Sequence, residues 1–357
     1  MARIPLKGPG GCYDILVEPG LLQQGERLET EFGLGGRVAV GTTEVIARLH
    51  GRTLAQRLPD ATLVTMPDGE AGKSLTTVAQ LYSDLVAAGL DRQATLLALG
   101  GGVACDTFGF AATTYLRGIR LVMAPTTLLA MVDASVGGKT GVDIAEGKNL
   151  VGTFARPAAV LMDSDVLETL PDREWRNGIA EVLKHGFLAD EQLLDPALHL
   201  RENAPSLVTR AVQVKVDLVQ RDPFEKNVRA WLNLGHTFAH AIELVSDFRW
   251  SHGEAVGAGL VAAGRLSHAA GLCSAALTDR IEDCVAGAGL PIRLGGLDAE
   301  EICAAMATDK KRRAGRVRFV LLRALNDITL VDDVPMETVV EVLNGMQGVP
   351  VREKNSC

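Results

Sequence analysis

The feature that most limits the fold is a change of pattern near residue 170. Before it, short β-branched runs recur at 37–41, 62–66, 95–99, 119–123 and 159–162, with helical patterns such as 76–88 between them. Strands alternating with helices define a parallel sheet covered by helices. After Pro171 the pattern turns mostly helical, with helices expected over 173–190, 206–221, 229–247, 254–271, 276–289 and 299–307. A strand pair is expected at 317–322 and 328–331, and the polar tail after Val351 is expected to be loose. The expected architecture is an α/β N-terminal domain with a parallel Rossmann-like sheet, residues 1–172. A mostly α-helical C-terminal domain, residues 173–357, follows it.

Charge and cysteine usage narrow the function. The net charge of −8 argues against broad nucleic-acid affinity, so any anionic ligand needs a local cluster of cations. No apolar run approaches the ~20 residues that span a bilayer, and the N-terminus lacks a secretion signal's apolar core. Cys12, Cys105, Cys273, Cys284, Cys303 and Cys357 form no Cys-x-x-Cys pair. They read as reduced, mostly buried thiols of a cytoplasmic protein.

The strongest chemical signal lies in the helical half. Asn233, His236, His240 and Glu243 recur at helical spacing, and His252 and Glu254 follow a short turn. On one helix they form a polar stripe among Trp231, Leu232, Leu234, Phe238, Ile242 and Val245. Buried polar groups need partners. Hydrogen bonds within a core would supply them, and so would a divalent metal; spacing alone leaves both readings open.

Glycine concentrates in the α/β half. Gly100-Gly101-Gly102 follow the run Leu96–Leu99 and open a helical pattern, where backbone amides and a helix N-terminus can meet a pyrophosphate. A tight turn explains the same residues, and the Gly-x-Gly-x-x-Gly fingerprint is absent from this position. Asp68-Gly69-Glu70 with Lys73 has the same character. Lys139 follows Gly137-Gly138, and Lys148-Asn149 follow Gly147. These are compact cations in small-residue surroundings, as a phosphate-binding loop requires.

Taken in chain order, these features resemble one family. They include Gly100-Gly-Gly-Val-x-x-Asp106-x-x-Gly109-Phe110, Tyr115-x-Arg117-Gly118, Pro125-Thr-Thr-Leu128 and Val132-Asp-x-Ser-Val-Gly-Gly-Lys-Thr140. Gly147-Lys-Asn149, Leu170-Pro171, Ala180-Glu-Val-x-Lys184, Leu232-Asn-x-Gly-His-Thr-x-x-His240 and His252-Gly-Glu-Ala-Val256 continue the series. The chain resembles the sugar-phosphate cyclases, their dehydroquinate-forming branch most closely, from Tyr13 to about Val331. The resemblance implies NAD, a zinc or cobalt ion, and an anionic seven-carbon sugar-acid phosphate, 3-deoxy-D-arabino-heptulosonate 7-phosphate. The implied reaction is transient oxidation, β-elimination of phosphate, re-reduction and intramolecular aldol closure, with no net redox change.

Residue by residue, the same resemblance assigns the metal to Glu181, His236 and His252, leaving open positions as a catalytic site requires. His240 then faces the substrate phosphate. Lys139, Asn149, Asn233 and Lys310 gather phosphate and hydroxyls, and Lys184 fits the dehydroquinate branch. Lys215 and Arg229 match the pair that holds the substrate carboxylate, which cyclases of sedoheptulose 7-phosphate do not need. Thr42, Glu70, Lys73, Gly101, Gly102, Val103, Asp106, Thr126, Thr127, Lys148, Thr169 and Leu170 fall on the NAD side. Asp133 and Lys139 lie where nicotinamide and substrate meet. Arg117 looks like a residue that reaches the neighbouring subunit's site, which implies a homodimer. One departure is Gly41-Thr-Thr-Glu44, where relatives usually carry Asp or Asn for the adenosine ribose. Three rivals remain: an aminodehydroquinate synthase or other cyclase of secondary metabolism, a metal-dependent polyol dehydrogenase, and a non-catalytic NAD sensor. The dehydrogenase has no use for the anion-binding set. The sensor has none for the metal set.

Overall fold

The runs of the first half form strands of one mixed sheet. A computed structural model of the chain describes residues 1–8, 11–310, 317–332 and 334–348, without the side chains of 308–310. Lys310's side chain and the tail after Val351 therefore lie outside the described residues. The chain divides into two compact units, Met1–Trp175 with Arg201–Pro223, and Arg176–Leu200 with Phe224–Cys357.

In the first unit the strands are β1 (Ala2–Gly8), β2 (Gly11–Val17), β3 (Arg37–Thr43), β4 (Asp60–Met66), β5 (Thr95–Gly100), β6 (Arg120–Pro125), β7 (Lys139–Ile144), β8 (Gly147–Phe154) and β9 (Ala159–Met162). Seven of them make one sheet in the order β1-β2-β9-β6-β5-β3-β4. Its pairings are parallel except β1 against β2. Val38–Val40, Leu96–Leu99, Val122–Ala124 and Val160–Met162 are all buried, as strands covered on both faces must be. The β1–β2 hairpin was not expected, although Ile4 and Leu6 point inward between outward Arg3, Pro5 and Lys7. Nor was the β7–β8 hairpin: the segment expected to be a phosphate-binding loop is two antiparallel strands pairing Lys139 with Phe154. β8 is mostly exposed, so no alternation of apolar residues betrays it.

Helix Ala204–Arg221 comes after residue 172 in the chain but packs with the first unit. It buries Leu207, Val208, Ala211, Val212, Val216 and Val219, and its Gln220 Oε1 accepts from the Lys7 amide at 3.0 Å.

The second unit is mainly helical. Its helices are Arg176–Leu188, the continuation of Asp172–Leu188, then His236–Val245, His252–Ala269, Ala275–Gly287, Ala299–Lys310 and Met336–Asn344. Antiparallel strands β10 (Phe319–Ala324) and β11 (Asp327–Val331) accompany them. The expected helix 229–247 is broken. Val228–Asn233 is a 3-10 segment, Gly235 turns with φ 78°, and the α-helix begins at His236. Asn233 is therefore not on the helical stripe that carries His236, His240 and Glu243. The break serves packing: a Cβ on Gly259 would stand 2.2 Å from the Gly235 carbonyl, so two glycines let the chain cross there.

A second close approach joins helices Asp172–Leu188 and His252–Ala269, where a Cβ on Gly253 would lie 2.3 Å from Asn177 Cα. Backbone cannot yield as a flexible side chain can. Gly253→Ala should therefore cost about 1–3 kcal/mol of stability, read as a lower urea midpoint; an unshifted midpoint would show that the helices separate freely.

Candidate active site

Three side chains of the second unit converge. Glu181 stands one helical turn beyond Asn177, so the Gly253–Asn177 contact brings its helix against the start of the next. His252 opens that next helix. Ser251 caps it, accepting from the Glu254 amide at 3.5 Å, while the Glu254 carboxylate accepts from the Ser251 amide at 2.7 Å. His236 opens the third helix directly after the Gly235 turn. The Nε2 atoms of His236 and His252 each lie 3.3 Å from Glu181 Oε1. One ligand atom from each residue falls within 4.8 Å of the other two.

The donor set fits a divalent ion. Glu181 is fully buried, with the Lys184 ammonium paired to one carboxylate oxygen and the two imidazoles facing the other. The ligand atoms of Glu181, His236 and His252 lie close enough to one another to share one ion. A buried oxygen in such a place costs energy unless a cation completes it. His236 Nδ1 lies 3.2 Å from the Leu234 carbonyl, which holds Nε2 as the ligand atom. His240 lies close by, its ring centroid 5.6 Å from that of His236 and 6.4 Å from that of His252. It is exposed and is not one of the three converging ligands.

Charge follows the geometry. Burial opposes ionisation of Glu181, but the Lys184 ammonium and His236 outweigh it and hold the carboxyl well below the usual range. Burial also opposes the His252 imidazolium. Glu181 and Glu243 overcome it, raising His252 to about 10. A metal at Nε2 therefore competes with a proton.

The first unit gathers a second constellation. Gly101 caps helix Gly102–Thr114, placing Gly102 and Val103 in its first turn. Lys73 is buried, and its Nζ donates to Asp106 Oδ2 at 2.5 Å and to Asn149 Oδ1 at 2.6 Å. Asn149 holds a left-handed φ of 56°, with its amide on Asp143 Oδ1 at 2.7 Å. Lys148 Nζ stands 3.5 Å from Glu70 Oε1. Burial raises Asp106 to about 6 against the pull of Lys73. Beside this cluster, Glu70, Lys73, Ser74, Asp143 and Ile144 line a groove of about 430 Å³.

Other expected residues of this unit fall into smaller groups. Thr42 and Thr126 are buried with hydroxyls that have no hydrogen-bond partner among the described residues, whereas Glu44 is exposed. Thr127 Oγ1 accepts from the Ala130 amide at 3.1 Å. Thr169 Oγ1 donates to the Val166 carbonyl and lies 2.9 Å from His50 Nε2, a contact that a lone histidine in the sequence does not announce. The Leu170 carbonyl accepts from Arg201 at 2.7 Å. Lys215 is buried, donating to the Asp133 carbonyl at 2.5 Å and to its carboxylate at 2.6 Å. Lys139 is exposed on β7. Arg117 sits in an exposed turn, with φ 71° after Leu116 at φ 51°.

In the second unit Arg229 is 2% exposed. Asn233 Nδ2 donates to Glu225 Oε1 at 3.0 Å.

The fold and site thus give an α/β unit with a glycine-capped strand-to-helix turn and a helical unit whose Glu/His/His set could hold a metal ion. Family models narrow this description: 3-dehydroquinate synthase N-terminal matches residues 63–177, and 3-dehydroquinate synthase C-terminal matches 178–312. A 3-dehydroquinate synthase of Synechococcus sp. is 42% identical over 362 residues, covering 96% of this chain and 98% of the relative. That of Pelobacter propionicus is 43% identical over 333 residues, covering 90% and 93%. The chain belongs to the 3-dehydroquinate synthase family. Among solved structures, 2-epi-5-epi-valiolone synthase from Streptomyces hygroscopicus, with NAD+ and Zn2+ bound, is 31% identical. It has a TM-score of 0.86, with 97% of this chain and 99% of that one covered. A probable glycerol dehydrogenase from Sinorhizobium meliloti, 17% identical with a TM-score of 0.61 and 93% and 95% covered, shares the fold alone.

The raised His252 has a testable consequence. A group raised from 6.5 to about 10 on folding stabilises fully below pH 6.5, and that contribution is lost as pH rises through about 10. Chelator-treated protein should melt progressively lower across this window, and His252→Gln should flatten the decline. An identical slope in the variant would show that His252 carries no such proton.

Proposed function

We propose that the protein is a 3-dehydroquinate synthase, converting 3-deoxy-D-arabino-heptulosonate 7-phosphate to 3-dehydroquinate and phosphate. The observation that carries this reading is the convergence of Glu181, His236 and His252 in a chain of this family. When bound, NAD supplies a reversible hydride acceptor and the divalent ion a Lewis acid, which together make a proton next to the reacting carbon acidic.

The chain's own residues then bind and orient. Glu181, His236 and His252 hold the ion, and Lys184 balances the charge of Glu181. Arg229, buried and with a planar fork, takes the substrate carboxylate together with Lys215, while Asp133 positions the Lys215 ammonium. Lys139, Asn149, Asn233, His240 and Lys310 gather phosphate and hydroxyls. The departing phosphate accepts the proton itself, so these groups act by holding it in place. Thr42, Glu70, Lys73, Gly101, Gly102, Val103, Asp106, Thr126, Thr127, Lys148, Thr169 and Leu170 bind NAD, and the partnerless hydroxyls of Thr42 and Thr126 support that assignment. Arg117, in an exposed turn, is the residue that by family resemblance reaches the neighbouring site of a homodimer. A cytoplasmic setting is in keeping with the free thiols of Cys12, Cys105, Cys273, Cys284 and Cys303. Among the described residues no helix is long and apolar enough to cross a membrane.

Phosphate release should proceed with NAD far below substrate concentration and with no net NADH. Stoichiometric NADH would instead identify a dehydrogenase. Arg229→Ala should lower kcat/KM for the carboxylated substrate by about 2–5 kcal/mol; unchanged efficiency would place the carboxylate elsewhere. Exhaustive chelation should abolish turnover, with Zn2+ or Co2+ restoring it, and full activity without metal would remove Glu181, His236 and His252 from the reaction.

A further inference from the structure

His252 meets a second carboxylate behind the ligand set. Its Nδ1 lies 3.6 Å from Oε2 of Glu243, while its Nε2 faces Glu181. Glu243 is 8% exposed and sits on the same helix as His236. Its own backbone anchors the turn that leads to His252. The Glu243 carbonyl accepts from the Phe248 amide at 2.8 Å and from Ser246 Oγ at 3.0 Å, and Asp247 and Phe248 both take left-handed φ values there. One residue thus fixes the connection between two ligand-bearing helices and puts an acceptor behind the imidazole of the second.

We infer that Glu243 is a positioning residue for the metal: its carboxylate accepts from Nδ1–H of His252 and keeps the proton there, so that Nε2 is presented to the ion as a lone pair. The arrangement complements His236, where the Leu234 carbonyl occupies the equivalent place at Nδ1. A carboxylate in that position also makes the imidazole a stronger ligand than a carbonyl does, so His252 should be the more tightly set of the two. The inference rests on the metal reading of Glu181, His236 and His252 and adds a residue outside the ligand shell.

The test is Co2+ and Zn2+ affinity by competition with a chromophoric chelator, alongside NAD affinity, in the full-length protein. Glu243→Ala should weaken metal binding roughly 10–100-fold and leave NAD affinity unchanged. Glu243→Gln, which keeps an acceptor oxygen without the charge, should fall between Ala and the unsubstituted protein and serves if the Ala variant does not fold. Unchanged metal affinity in both variants would overturn the role of Glu243 while leaving the metal site standing. Equal losses of metal and NAD affinity, with Gln no better than Ala, would overturn it by showing a general structural defect. Failure of the unsubstituted protein to bind either ion would instead refute the underlying site.

Discussion

A fully buried carboxylate is the constraint on which the site of the second unit is built. Placing Glu181 away from water costs several kcal/mol unless cationic partners are held close, and the surrounding residues are arranged to supply them. Lys184 is three residues along the same helix, and two imidazoles face the same oxygen from other helices. The geometry is that of ligands around a common centre, where a divalent ion would take the place of the His252 proton.

That centre depends on backbone features distant from the chemistry. Gly253 lets the helix of His252 touch the helix of Glu181, and the Gly235–Gly259 crossing sets where the helix of His236 begins. The capping box at Ser251 and the turn anchored on Glu243 then fix the direction in which His252 emerges. Each histidine is the first residue of its helix, so small changes at the caps would swing a whole ring. Precision at the site thus comes from helix ends and close backbone contacts.

Much of this was legible in the residues because it is written locally. The five expected runs are the parallel strands β3, β4, β5, β6 and β9, each within two or three residues of its position in the sheet, and only β4 lies at an edge. The family resemblance carried by the ordered motifs names Glu181, His236 and His252, and these three side chains lie together. What escaped notice depends on tertiary context. Asn233 shares the helical spacing of His236, yet Gly235 breaks the helix between them, and only the neighbouring Gly259 explains why. β7 and β8 read as a glycine-rich loop because a mostly exposed hairpin has no apolar alternation to reveal it. The bond from Lys73 to Asn149 spans 76 positions, and the Leu234 carbonyl behind His236 has no side-chain signature at all. Helix Ala204–Arg221 gives no hint in its own sequence that it packs with the earlier unit.

The most direct measurement is a crystal structure with Zn2+ and NAD, with the ion located by anomalous scattering at the zinc edge. A single strong peak is expected, bound by a Glu181 oxygen and by Nε2 of both His236 and His252, with coordination positions left open. A peak elsewhere, or imidazoles turned away from Glu181 with the ion absent, would contradict it.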